Sequence, residues 1–171
     1  MSFKLDDIDY NILHILQEDG NITNLELSKK VSLSPGPTLE RVKKLEQQGV
    51  IRGYYAEIDP SKIGLGIEAI IEIALTHQAK DAINKFKIAA GEIEEITECY
   101  QVTGNVDFVV KAIVKDIPAY EKLITEKIGK IDVISNMRTR VILATTKKSK
   151  VLPVRYKNPK ENPQSPTLNP R

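Results

Sequence analysis

Only about three residues, Ser32 to Ser34, separate two helical patterns near the N-terminus, and this shortness limits the fold more than any other feature of the chain. Thr23, with Glu26 three positions later, has the form of a capping box and opens a helix running to about Val31. Ser34 directly before Pro35 reads as a side-chain N-cap followed by proline at the first helical position, where its missing N–H costs nothing. The helix begun there carries Leu39, Val42 and Leu45 and stops at Gly49. So short a connection forces a tight turn and a steep crossing, with Leu27, Val31 and Leu33 filling the angle. A preceding helix from Leu5 to Gln17, with Ile8, Ile12, Ile15 and Leu16 at helical spacing and Gly20 as its stop, completes a three-helix module.

Turning the third helix at about 100° per residue places Leu39, Val42 and Leu45 inward. Pro37, Glu40, Lys44 and Gln47 then point outward, with Arg41 and Lys43 on the flanks. Such a face fits a major groove: Arg and Gln read base edges, Lys neutralises phosphate, and amides at a helix N-terminus bind phosphate. An isolated Arg-Val-Lys-Lys run is more often a plain solvated face. The groove reading rests on the whole arrangement of three short helices, a tight turn, and cations on the open side of the last.

After Gly49 the pattern changes. Residues 50–60 read as an extended strand ending at Pro60, with Arg52 placed for a phosphate contact or simply exposed, and Lys62 to Gly66 reads as a hinge. Ile67, Ala69, Ile71, Ile73 and Leu75 alternate as in a half-buried strand. A helix marked by Ala79, Ile83, Phe86 and Ala90 follows, then strands at Ile96–Val102 and Phe108–Val114. A second helical stripe runs from Tyr120 to Ile131, and a last strand carries Met137, Thr139, Val141 and Leu143. The order β-α-β-β-α-β matches the split βαβ, ferredoxin-like motif with both helices on one sheet face. Ile70, Val109, Ile113 and Ile142 would then lie on the uncovered face, and an apolar row there points to sheet-to-sheet dimerisation.

Charge and composition narrow the function classes. Residues 1–64 hold 8 Lys/Arg against 10 Asp/Glu, residues 65–146 hold 10 against 12, and residues 147–171 hold 7 against 1, so neither folded segment is basic overall. DNA binding must therefore rest on where charges sit. The single Cys99 forms no internal disulfide, and no apolar run is long enough for a bilayer, so a soluble cytoplasmic protein is expected. His14, His77 and Cys99 form no catalytic constellation, and no Walker A loop, dinucleotide fingerprint or metal-ligand spacing occurs. No catalytic residue, metal site or cofactor is expected. The tail from residue 151, rich in Pro, Asn and Lys, is expected to be disordered.

The run from Leu5 to Gly64, above all "LSPGPTLERVKKLE", resembles the helix-turn-helix half of the Lrp/AsnC family, the feast/famine transcriptional regulators of bacteria and archaea. "VTGNVDFVV" and "MRTRVILATTK" are similar to that family's effector-binding domain, and the resemblance covers about residues 3–150. It implies a dimer that often assembles into octamers with DNA bent along it, and an amino-acid effector held between dimers. Carried over by position, the DNA-reading residues fall on Ser34, Thr38, Arg41 and Lys44, with Lys43 and Arg52 as backbone contacts. The family's effector loop falls on Thr103, Gly104, Asn105 and Asp107, with Asp107 set to pair with an α-ammonium group, and a second part of the pocket falls on Ser135 and Asn136. Gly104-Asn105 is also good turn chemistry by itself, so the residues alone leave a plain hairpin open.

The expectation is an α+β chain. A helix-turn-helix domain spans residues 1–50, a strand and hinge linker 51–66, a ferredoxin-like effector-binding and oligomerisation domain 67–150, and a disordered tail 151–171. The expected function is transcriptional regulation through double-stranded DNA, as a dimer or octamer, with an amino acid or related small molecule as effector. The alternative from another class is a ferredoxin-like metabolite-binding protein or small enzyme whose helical module makes protein contacts.

Overall fold

The structure is a computed structural model that describes residues 4–149 and 151–154. The chain divides into two compact units: one runs to Glu57 and takes in the segment from Lys147, and the other is Ile58–Thr146.

The first unit holds helices α1 (Asp7–Glu18), α2 (Asn24–Lys30) and α3 (Pro35–Gln47). Both α1 and α2 open with a reciprocal capping box. The Thr23 hydroxyl accepts from the Glu26 amide at 3.2 Å while Glu26 accepts from the Thr23 amide at 3.2 Å. The box on α1 is built from Asp6 and Asp9. The turn into α3 is a Schellman closure in which the Leu33 amide donates to Ser28 O at 2.9 Å and Ser32 takes a left-handed φ of 57°. Helix α3 stops in the same way: Gly49, at φ 68°, lets the Val50 amide return to Leu45 O at 2.9 Å. Ile12, Ile15, Leu27, Val31 and Leu45 form the core.

The inward face of α3 is turned from the sequence expectation. Thr38 is 0% exposed and donates its hydroxyl to Ser34 O at 3.0 Å, whereas Leu39 is 41% exposed. Thr38, Arg41, Val42 and Leu45 make the inner stripe, because a small side chain that satisfies its hydroxyl on its own helix packs where a leucine would crowd the crossing.

The second unit begins with a short 3-10 turn, Pro60–Ile63, and continues β1 (Ile67–Leu75), α4 (Lys80–Gly91), β2 (Ile96–Gln101), β3 (Phe108–Val114), α5 (Ile117–Lys122) and β4 (Ile134–Val141). The four strands are ordered β2-β3-β1-β4 with every neighbour antiparallel, which is the ferredoxin-like arrangement. Alternation along β1 and β3 sends Ile71, Ile73, Leu75, Phe108, Val110 and Ala112 into a core with Ala82, Phe86, Ala90, Leu123 and Ile128 from the helical face. Beyond α5 the chain keeps coiling as a π turn, Leu123–Lys127, and a 3-10 turn, Ile128–Lys130. A Cβ on Gly129 would lie 2.6 Å from Ile124 O, so the tightening after the π turn requires glycine there.

On the uncovered sheet face Ile70, Val109, Ile113 and Ile142 are half-buried, and they are interleaved with charge. Lys111 pairs with Glu68 at 2.9 Å and Arg140 pairs with Glu72. The apolar row expected from the sequence is thus a mosaic, since the charged positions between the hydrophobic ones share the same face. No helix among the described residues is long and apolar enough to cross a membrane.

Candidate DNA-reading surface and effector cleft

The outer face of α3 carries Leu39, Glu40, Lys43 and Lys44, all exposed, and Gln47 lies at its far end. Lys43 approaches Glu40 at 3.7 Å. Ser34 occupies the N-cap position, but its side chain makes no cap bond, contrary to the expected side-chain cap; its carbonyl instead takes the Thr38 hydroxyl and amide. Pro35 and Pro37 carry no N–H and the Thr38 amide is bonded to Ser34 O, so the donors at this end of α3 are the exposed Ser34 hydroxyl and the Gly36 amide. Asn24 Nδ2 donates to Pro35 O at 2.9 Å and fixes the first turn of α3 against α2.

Two expected DNA contacts are placed otherwise. Thr38 is buried, so its hydroxyl does not reach a base. Arg41 turns inward, where Nη1 donates to Asp6 Oδ2 at 2.8 Å and Asp9 Oδ1 at 2.7 Å. The Asp9 bond raises the Arg41 guanidinium above its ordinary value, against burial and with help from Asp6. Burial works to raise Asp6, yet the Asp9 amide and Arg41 outweigh it and hold that carboxyl below its ordinary 3.8.

Residues 50–59, expected as a strand, pair with no strand, and Arg52 is exposed in this segment. Tyr54 anchors this segment by donating to Glu46 Oε1 at 3.0 Å, and burial together with Glu46 pushes its phenol up to about 12. The segment from Lys147 also belongs to this unit. Gln17 takes the Leu152 amide on Oε1 at 2.7 Å and returns Nε2 to Leu152 O at 3.4 Å, and Lys148 lies 3.6 Å from Glu57. An open, largely apolar cavity of about 500 Å³ runs between α1 and residues 50–55, with Leu152 and Val154 on its rim. The rest of the tail expected to be disordered, from residue 155, lies outside the described residues.

In the second unit the loop between β2 and β3 leaves Thr103, Gly104 and Asn105 exposed, with Gly104 at φ 119°, a conformation an L side chain rarely adopts. Asp107 is engaged within the chain: Oδ2 accepts from the Leu75 amide at 2.8 Å and Oδ1 from Gln78 Nε2 at 2.8 Å. The Ser135 hydroxyl lies 3.0 Å from both Ala74 O and Leu75 O. These two residues fasten the irregular end of β1 from either side. Of the expected effector residues, Asn105 and Asn136 alone line a shared open cavity of about 380 Å³. Glu72, Met137, Arg138 and Arg140 complete its wall. Glu72, Arg138 and Arg140 carry no sequence signal for a ligand, since strand alternation marks only that they share the uncovered face. Among the described residues Arg138 makes no ion pair, and no group of acidic, His or Cys side chains is set to hold a metal.

A helix-turn-helix unit whose outer face is cationic, joined to a four-stranded α+β unit with a polar cleft, defines a transcriptional regulator with a ligand-binding domain. Residues 5–52 match the winged helix-turn-helix DNA-binding family, and residues 68–152 match the Lrp/AsnC ligand binding domain. The chain is 42% identical over 151 residues to the leucine-responsive regulatory proteins of Salmonella typhimurium and Escherichia coli K12, covering 88% of this chain and 92% of theirs. It belongs to the Lrp/AsnC family and is a DNA-binding transcriptional regulator, not an enzyme. Solved relatives agree. A Neisseria meningitidis transcriptional regulator in complex with L-Met is 33% identical, with TM-score 0.84 and coverage of 88% of this chain and 97% of that one. Escherichia coli AsnC is 28% identical, with TM-score 0.80 and coverage of 87% and 99%.

Proposed function

We propose that this regulator lays α3 in the major groove and couples that contact to an amino acid held in the cleft beside the β2–β3 loop. Lys43, Lys44 and Arg52 meet phosphates, and the Ser34 hydroxyl with the Gly36 amide meets another. Leu39 and Gln47 face the base edges, where a leucine suits a thymine methyl and a glutamine suits adenine. The observation carrying this reading is the outer face of α3, where Lys43 and Lys44 stand exposed side by side on the C-terminal half of the helix.

The effector has a carboxylate and an ammonium group, as the L-Met bound by the Neisseria protein does. Arg138 offers a fork for the carboxylate, the second carboxylate oxygen of Glu72, whose first pairs with Arg140, an acceptor for the ammonium, and Asn105 and Asn136 adaptable amides. Thr103 and Gly104 form the lip, while Asp107 and Ser135 keep β1 and the loop in register. The protein acts as a dimer or larger assembly through the half-buried sheet face, which gives two helical units for two half-sites.

Calorimetry against the twenty amino acids tests the effector. One or a few should bind, and Arg138→Ala should abolish the heat while leaving ligand-free DNA affinity intact. If no amino acid binds below millimolar concentration, the cleft is not an amino-acid site.

A further inference from the structure

Arg41 stands on the DNA-reading helix, yet its bonds run to the start of α1. Asp6 and Asp9 are the two residues that cap α1: Asp6 Oδ1 accepts from the Asp9 amide at 2.9 Å and Asp9 Oδ2 from the Asp6 amide at 3.2 Å. Their two remaining oxygens both take Nη1 of Arg41, at 2.8 and 2.7 Å. Each of the four carboxylate oxygens is thus engaged, and a single guanidinium nitrogen joins the capping box of α1 to the middle of α3. The Asp9 side chain is only 10% exposed and that of Arg41 32%. One turn before Arg41, Thr38 is buried, and one turn after it Leu45 is 1% exposed, so the arginine lies between the two anchors that seat α3 on the module.

We infer that Arg41 is a positioning residue: by bridging the capping box of α1 it sets the angle at which α3 presents Lys43, Lys44 and Leu39, and it does not itself read a base. The inference rests on the proposed docking of α3. Swinging the guanidinium outward would strip the counter-charge from two carboxylates, one of them nearly buried, and would loosen the cap they form. The bridge also gives a reason for aspartate at both box positions, since the short side chains bring their second oxygens to one point.

The test measures affinity for duplexes that the wild type selects from a randomised pool, and for scrambled duplexes, at a temperature where circular dichroism shows every variant folded. Asp9→Asn, a change at a residue too buried to touch DNA, should lose roughly tenfold on the selected duplex. Arg41→Met should lose about as much, and the double variant no more than either single change, because both remove one interaction. Arg41→Lys keeps a cation for the two carboxylates and should retain most of the affinity with an unchanged site preference. If Arg41→Met leaves too little folded protein, Arg41→Lys against Asp9→Asn carries the comparison. Wild-type affinity in Asp9→Asn, or loss of preference at one base pair in Arg41→Lys, would show a base-reading arginine and overturn the inference. So would lowered melting temperatures with wild-type affinity for every folded variant, which would make the bridge structural only. A wild type that binds no duplex would instead overturn the docking of α3, and the inference with it.

Discussion

The two units solve the same problem with different chemistry. In the ferredoxin-like unit fourteen buried hydrophobic residues form one core, and Phe86 stacks obliquely on Phe108 with ring centres 4.5 Å apart. The helical unit has five, with partly buried hydrophobic residues around them, and every buried polar residue among those described lies in it: Asp9, Asn11, Ser28 and Thr38. A large apolar core tolerates polar mistakes poorly but needs few directional contacts. A small one gains its angles from hydrogen bonds whose geometry is specific. On the proposed function the helical unit presents α3 to DNA at a fixed tilt, whereas the sheet unit holds a cleft and a broad face.

Substitutions sharpen this contrast. Phe86→Ala should be the most damaging single change, costing about 3–5 kcal/mol in denaturant unfolding because a buried aromatic leaves a cavity under the sheet. A cost under about 1 kcal/mol would mean that the apolar core does not dominate that unit. In the helical unit Asp9→Ala should cost about 1–3 kcal/mol, by leaving Arg41 and the Asp6 amide short of a partner. An Asp9→Ala protein as stable as wild type would remove the case for polar fastening.

Acid probes the same fasteners. Because the folded pKa of Asp6 lies below 3.8, its contribution is present above the unfolded value and is lost as pH falls through the lowered folded one. Urea unfolding between pH 5 and about pH 2 should therefore show a loss that Arg41→Met reduces, since that variant lacks one of the groups that lower Asp6. The smallest effect is a gain. Ser32→Gly should stabilise by about 1 kcal/mol, because Ser32 carries a side chain at a left-handed φ that glycine adopts freely. Destabilisation by this change would mean that the turn between α2 and α3 is shaped differently.

The division into helical and ferredoxin-like parts was legible from periodicity alone, because the shift from spacing of three and four to strict alternation at Ile67 follows directly from helix and strand geometry. The capping box at Thr23 was legible from its Thr-x-x-Glu form, whereas the one at Asp6 was not, because aspartate at the third position departs from the usual pattern. Hydrophobicity misplaced Thr38 and Leu39 by one step around α3, since a threonine that bonds its own helix behaves as a small core residue. The bridge from Arg41 to Asp6 and Asp9 spans more than thirty residues and leaves no local signal. For the same reason the bonds that Asp107 and Ser135, read as ligand groups in sequence, make to Leu75 at the end of β1 leave no local signal.

The central claim, that the outer face of α3 engages DNA phosphates, is tested most directly by the salt dependence of binding. The logarithm of affinity for a duplex should fall linearly with the logarithm of salt concentration, and Lys43→Ala should weaken binding to selected and scrambled duplexes alike while reducing the slope by about 1. A Lys43→Ala protein with the wild-type slope and affinity would contradict the account, because the cation at the centre of that face would then lie away from the DNA.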